Sequence, residues 1–147
     1  MKRFAFQFEK LLRVREFAEN AAKEELGRQI GALNGIEARI AENETRRTGA
    51  AEKRFAKGNS IPDMDAYNFY IMRLDHEKTK LLEDAEEQNK KVEEARAQYI
   101  EASREKKIIE KLKEKERKEY KRETQKSEEE EIDTLSGQKH REPRPGP

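Results

Sequence analysis

Lys57-Gly58-Asn59-Ser60-Ile61-Pro62-Asp63 decides the fold, because it separates two stretches with helical spacing. Glycine and asparagine tolerate left-handed backbone angles and end helices. Ser60 is placed to cap a following helix, with Asp63 in the acidic slot three residues on. Pro62 falls in the first turn of that helix, where a missing N–H does no harm. One helix should therefore end before this stretch and another begin within it.

Downstream, steps of three and four alternate without a slip through Met64, Tyr67, Ile71, Leu74, Lys78, Leu81, Ala85, Gln88, Val92, Ala95, Tyr99, Ala102, Lys106 and Ile109. Eleven of these fourteen positions are apolar or tyrosine. A polar sequence without structure would not hold that register, so a coiled-coil helix wins over disorder. Between them lie Glu–Lys pairs four apart, such as Glu86–Lys90 and Glu87–Lys91, which support a helix. After Ile109 the stripe thins to Leu112 and Tyr120, while helix formers continue to about Glu131.

Upstream the signal is weaker. Phe4, Phe6 and Phe8 alternate, which points to an extended lead-in or a fraying first turn. Phe8, Leu11, Arg15, Ala18, Ala22, Leu26, Ile30, Leu33, Glu37 and Ile40 then follow steps of three and four. Three successive steps of four from Ala18 to Ile30 read as a stutter that locally unwinds a supercoil. The pattern fades over Glu42–Lys57.

A short turn between two striped helices implies antiparallel pairing. The expected fold is therefore all-α, a long two-helix antiparallel coiled coil or helical hairpin over residues 1–135. Its first helix covers about 8–56, its turn 57–62 and its second helix about 62–131. Residues 136–147, with three prolines and two glycines, read as a disordered tail. Centring the hairpin near Asn59 makes facing residue numbers sum to about 118. Leu26 then faces Val92 and Leu33 faces Ala85, and everything past about residue 112 should project beyond the first helix.

Composition agrees with a thin seam rather than a globular interior. Charged residues are 44% of the chain and hydrophobic residues 33%, with no tryptophan. A compact domain of this length needs about 45–50% apolar residues. The net charge of +1 provides no global field for nucleic acid or anionic lipid. No cysteine is present, so disulfides and thiolate chemistry are excluded. The longest run of large apolar residues is Phe69 to Met72, far short of the ~20 residues of a membrane span. Met1-Lys2-Arg3-Phe4 is followed by no apolar segment of a signal peptide, which points to a cytoplasmic protein.

Nothing in the pattern supports catalysis, a cofactor or a metal. A two-helix coiled coil offers no concave, water-poor site with convergent groups. His76 and His140 are the only histidines, and His76-Glu77-Lys78-Thr79-Lys80 lacks the second histidine of a metalloprotease helix. Gly27, Gly31 and Gly35 fall four apart, which is either a flat strip for another helix or a weak point in the first helix.

Two regions have the character of binding surfaces. In 64–74 the seam uses Met64, Tyr67, Ile71 and Leu74, which leaves Phe69, Tyr70 and Met72 over. Clustered exposed aromatics mark contact surfaces; the alternative is a wider turn end that wraps them into a local cluster. The second region, Arg104–Arg122, holds ten Lys/Arg against five Glu, net +5, and Glu123–Asp133 carries six acids and one lysine, net −5. A solvated helix face is the ordinary reading of such mixed charge. Nucleic-acid binding is poorly served, because acids interleave with the bases and only Tyr120 could stack.

The chain resembles the FliJ family of flagellar export proteins, coiled-coil components of the bacterial flagellar type III secretion apparatus. Three stretches carry the resemblance: Phe8-Glu9-Lys10-Leu11-Leu12-Arg13-Val14-Arg15; the segment after the turn with Tyr67, Tyr70, Ile71 and Leu74; and Glu105-Lys106-Lys107-Ile108-Ile109-Glu110-Lys111-Leu112-Lys113-Glu114-Lys115, followed by Tyr120-Lys121-Arg122 and Glu131-Ile132-Asp133. The resemblance implies a non-enzymatic stalk of the secretion ATPase, serving motility, at the cytoplasmic face of the inner membrane at the flagellar base. Its implied partners are the export ATPase hexamer, the membrane export gate protein and export chaperones. A gate contact in the family corresponds by position to Tyr70, Leu74, Glu77 and Leu81, although Glu77 and Leu81 depart from the family pattern. Together with the surplus residues this marks Phe69, Tyr70, Met72 and Leu74 as the expected gate surface. The stalk reading assigns Phe8, Leu11, Lys111, Lys113, Arg117, Lys118 and Arg122 to the ATPase ring. A structural tether that homodimerises through its stripe is the alternative, and a nucleic-acid-binding helical protein is a third class.

Overall fold

The computed structural model describes residues 3–141. Helix α1 spans Glu9–Arg54 and helix α2 spans Ile61–Arg141, packed against each other antiparallel, with no strand among the described residues. The chain divides into two compact units, one made of residues 18–102 and the other of residues up to 17 together with those from 103 onward.

The turn belongs to the first of these units and forms as its residues dictate. Gly58 takes the left-handed backbone, φ 91°, which a side chain would resist. The Asn59 side-chain amide donates to the Lys53 carbonyl at 2.7 Å and the Arg54 carbonyl at 3.3 Å, satisfying two orphan acceptors at the end of α1. Ser60 and Asp63 form a reciprocal cap: the Ser60 N–H donates to Asp63 Oδ2 at 2.9 Å, and the Asp63 N–H donates to Ser60 Oγ at 3.3 Å. Hydrogen bonding to the carboxylate from Ser60, from its backbone N–H first and its hydroxyl second, holds the Asp63 carboxyl below its ordinary range.

In residues 18–102 the α2 face of the seam is the one the spacing predicts. Met64, Tyr67, Ile71, Leu74, Lys78, Leu81, Ala85, Gln88, Val92, Ala95, Tyr99 and Ala102 are all buried or half-buried. Ile71, Leu74, Leu81, Val92 and Ala95 form its deepest layers. Interhelical bonds fix the register. Asn43 Nδ2 donates to the Leu74 carbonyl at 3.0 Å, and Gln88 Nε2 donates to the carbonyl and side-chain oxygens of Gln29 at 3.0 and 2.7 Å. Both pairs sum to 117, close to the expected 118, which brings Leu26 to the level of Val92 and Leu33 to that of Ala85.

On α1 the expected stutter is absent. The face turned to α2 runs Glu19, Ala22, Leu26, Gln29, Leu33, Ile36, Ile40, Asn43, Arg47, Ala50 and Arg54, in unbroken steps of three and four, each at least half-buried. Ala18 and Glu37, expected in the seam, are exposed. The apparent stutter arises because Glu19, Gln29, Asn43 and Arg47 hold seam positions while apolar neighbours such as Ile30 only flank it. Polar seam groups find partners: Arg47 pairs with Asp75 at 2.6 Å and Lys78 with Glu44 at 2.9 Å. Asn43 is buried at 3% exposure, and its Oδ1 has no hydrogen-bond partner among the described residues.

In the other unit residues 3–6 are not helical, and α1 starts at Glu9 after a turn. Phe6 and Leu12 are its buried side chains. The Phe4 ring lies 5.5 Å from that of Tyr120, and Phe6 meets Phe8 edge-on at 5.9 Å. Arg15 pairs with Glu105 at 2.6 Å, and Lys113 with Glu9 at 2.9 Å. The lead-in therefore accompanies α2 as far as Tyr120, not to 112 as the helix count implies. An extended segment rises about 3.3 Å per residue against 1.5 Å in a helix, so a few such residues cover many. Helix α2 continues to Arg141, past the end expected near Glu131 and into the segment read as tail; residues 142–147 of that segment lie outside the described residues. Among the described residues no helix is long and apolar enough to cross a membrane.

Candidate partner-binding surfaces

The turn-end surface is built on the first turns of α2. The cap at Ser60 and the seam residues Tyr67, Ile71 and Leu74 fix the helix rotation. That rotation turns Phe69 and Met72 outward, 72% and 65% exposed, with no local cluster wrapping them. Ile61, eleven residues before Met72 and hence on the same side of the helix, is also exposed. Tyr70 is half-buried at the flank, where the Arg73 guanidinium lies 5.4 Å from its ring centroid. A shallow groove beside it is lined by Asn59, Asp63, Ala66, Tyr67 and Tyr70.

Leu74 is not part of this surface. At 2% exposure it is the most deeply buried large side chain in the chain's described part, and Leu81 is buried as well. Glu77 is exposed. The expected gate set thus separates into an outward pair, Phe69 and Met72, a flanking Tyr70, and a core leucine. Phe55 was missed in the sequence, where it lies in the faded part of α1; it is exposed, with the Arg54 guanidinium 4.4 Å from its ring.

The second surface lies in the unit that contains both the start of the chain and residues beyond 103. Phe8 is 38% exposed and Leu11 half-buried, on the first turn of α1. Lys113 is held by Glu9, and Arg117 stands 5.9 Å from the Phe4 ring centroid. Two of the five cations expected at the ring are thus anchored to the N-terminal segment, with Phe8 and Leu11 nearby in sequence. Lys111, Lys118 and Arg122 are exposed and make no ion pair among the described residues. Their side chains can reach far and adapt to an uneven partner.

The turn end thus presents outward apolar side chains, and the other unit presents long cations beside aromatic rings. The molecule is a two-helix antiparallel coiled-coil protein. The FliJ family model, described as Flagellar FliJ protein, matches residues 4–144. The chain belongs to the FliJ family and is a component of the flagellar protein-export apparatus. Comparison with curated proteins and with solved structures gave no match.

Proposed function

We propose that the chain is the non-catalytic coiled-coil stalk of the export apparatus, binding and stimulating the export ATPase ring through Phe8, Leu11, Lys111, Lys113, Arg117, Lys118 and Arg122. The observation that carries this reading is the meeting of both halves of that set in one compact unit, tied by the Lys113–Glu9 pair and by Arg117 against Phe4. A ring of identical subunits offers a central partner several similar but non-equivalent contacts. Long, exposed cations meet such a demand without a fixed symmetry match. The contacts should weaken as salt rises, because exposed charges are screened over about 8–10 Å.

On the same reading the turn end docks on the membrane gate through Phe69, Met72 and the exposed edge of Tyr70, and export chaperones bind during their cycle. This places the protein in the cytoplasm, at the membrane face of the flagellar base. Leu74 supports the gate surface from beneath and does not touch the partner.

Binding of full-length chain to purified ring and to the gate's cytoplasmic part tests both contacts. A chain truncated after Ile109 should lose ring binding and keep gate binding. Tyr70→Ala should weaken gate binding with helicity intact by circular dichroism. Ring binding by the truncated chain, or loss of helicity with Tyr70→Ala, would refute the corresponding contact.

A further inference from the structure

One face of α2 is used neither by the seam nor by the N-terminal segment. Ile108, Lys111, Lys115, Lys118, Arg122, Gln125, Glu129 and Ile132 follow steps of three and four, so they form one stripe along the helix. All eight are exposed; Ile108 is 59% and Ile132 64% exposed, large for isoleucines on a helix. Lys111, Lys115, Lys118, Arg122 and Glu129 make no ion pair among the described residues. All of the stripe lies within one compact unit.

The stripe reads as its own complement when reversed. In an antiparallel pair of such helices, Ile108 of one meets Ile132 of the other, Lys111 meets Glu129, and Lys115 meets Gln125. Residues 107–117, five Lys/Arg against three Glu, then run along residues 123–133, which carry six acids and one lysine. A parallel pair would instead set lysine on lysine at three successive layers and Glu129 on Glu129, which like-charge repulsion forbids. The centre of the antiparallel arrangement carries a cost, since Lys118 meets Arg122. Glu119 and Glu123 on the edges of the stripe supply counter-charge there.

We propose that two copies of the chain associate antiparallel through this stripe, with Ile108 packed on Ile132 at both ends and Lys111 paired with Glu129. With one apolar contact at each end, the dimer is weak, sensitive to salt and reversible. It differs from pairing through the main seam, whose positions are filled within the chain. Lys111, Lys118 and Arg122 are covered in the dimer, so dimer formation and ring binding exclude each other. That consequence rests on the ring reading; the dimer does not.

The chain has no cysteine, which permits a clean test by disulfide trapping. Full-length Ile108→Cys and Ile132→Cys chains, mixed at low salt under mild oxidation, should yield the mixed disulfide dimer. Either variant alone should yield little, because like positions lie about 36 Å apart in the antiparallel pair. A second measurement reads dissociation by sedimentation equilibrium. Lys111→Glu and Glu129→Lys should each weaken association about tenfold, and the doubly substituted chain should recover it. Trapping of Ile132→Cys alone as efficiently as the mixture, a monomer at every concentration, or no recovery in the double variant would each overturn the proposal.

Discussion

Residues 18–102 and the unit formed by residues up to 17 and from 103 onward are made from the same two helices, yet they bury side chains to different depths. The first holds Leu74, Val92, Ala95, Ile71, Leu81 and Ala50, with Asn43 as its buried polar residue. Among its described residues the second buries only Phe6 and Leu12 and is otherwise joined by half-exposed ion pairs and ring contacts. Apolar burial contributes roughly 25 cal/mol per Å², whereas exposed ion pairs contribute about 0–1 kcal/mol each. The difference separates two tasks. One unit carries most of the apolar burial that stabilises the fold, and the other is held by weaker contacts that open at lower cost.

Core truncation should break this contrast most forcefully. Leu74→Ala should destabilise the chain by about 2–5 kcal/mol, lowering the thermal midpoint of the whole helical signal. Phe6→Ala should instead speed amide exchange over residues 3–17 and leave the midpoint of residues 18–102 nearly unchanged. Equal loss of helicity in both variants would show that the units do not divide the work in this way.

A smaller effect of opposite sign is expected at Gly27, Gly31 and Gly35. A Cβ built at any of them meets nothing within 4 Å, so the chain's own packing does not require glycine there. Their conversion together to alanine should raise stability by about 2–3 kcal/mol, since each glycine costs up to ~1 kcal/mol in a helix. A lower midpoint would mean that these positions need a backbone alanine cannot adopt.

The smallest effect concerns the turn. Ser60→Ala should cost about 0.5–2 kcal/mol by removing half of the reciprocal cap. The Asp63 half depends on pH. Its folded pKa is depressed, so its contribution is complete above the ordinary carboxylate range and is lost as pH falls through the lower folded value. The stability difference between the native chain and Asp63→Asn should therefore shrink in acid. A constant difference down to low pH would show that the carboxylate charge is not what the cap uses.

How much of this was legible in the sequence depends on which helix carried the apolar residues. Along α2 from Met64 to Ile109, every position of the expected stripe is at least half-buried, because apolar side chains mark it nearly throughout. The turn was equally readable, since Gly58, Ser60 and Asp63 have few other uses in that order. Along α1 the seam was hidden by the polar residues Glu19, Gln29, Asn43 and Arg47, of which Gln29, Asn43 and Arg47 bond across the interface. Gln29 and Arg47 find their partners in Gln88 and Asp75, and no periodicity within α1 could reveal them. At the turn end, the surplus Phe69 and Met72 were readable as outward, whereas Leu74 belongs to the seam and cannot also face a partner. The reach of the N-terminal phenylalanines to Tyr120 was missed because an extended lead-in covers more of α2 than a helix of the same length.

On the proposed reading the ATPase ring binds the loosely packed unit, and the turn end is left to another partner. Turnover of the purified ring with full-length chain, at moderate salt, tests it directly. Substituting Lys111, Lys118 and Arg122 together with glutamate should remove most of the stimulation while the helical content stays unchanged. A chain carrying Phe69→Ala and Met72→Ala should stimulate as well as the unaltered chain. Full stimulation by the triple charge variant, or its loss in the turn-end variant, would place the ring contact elsewhere on the molecule.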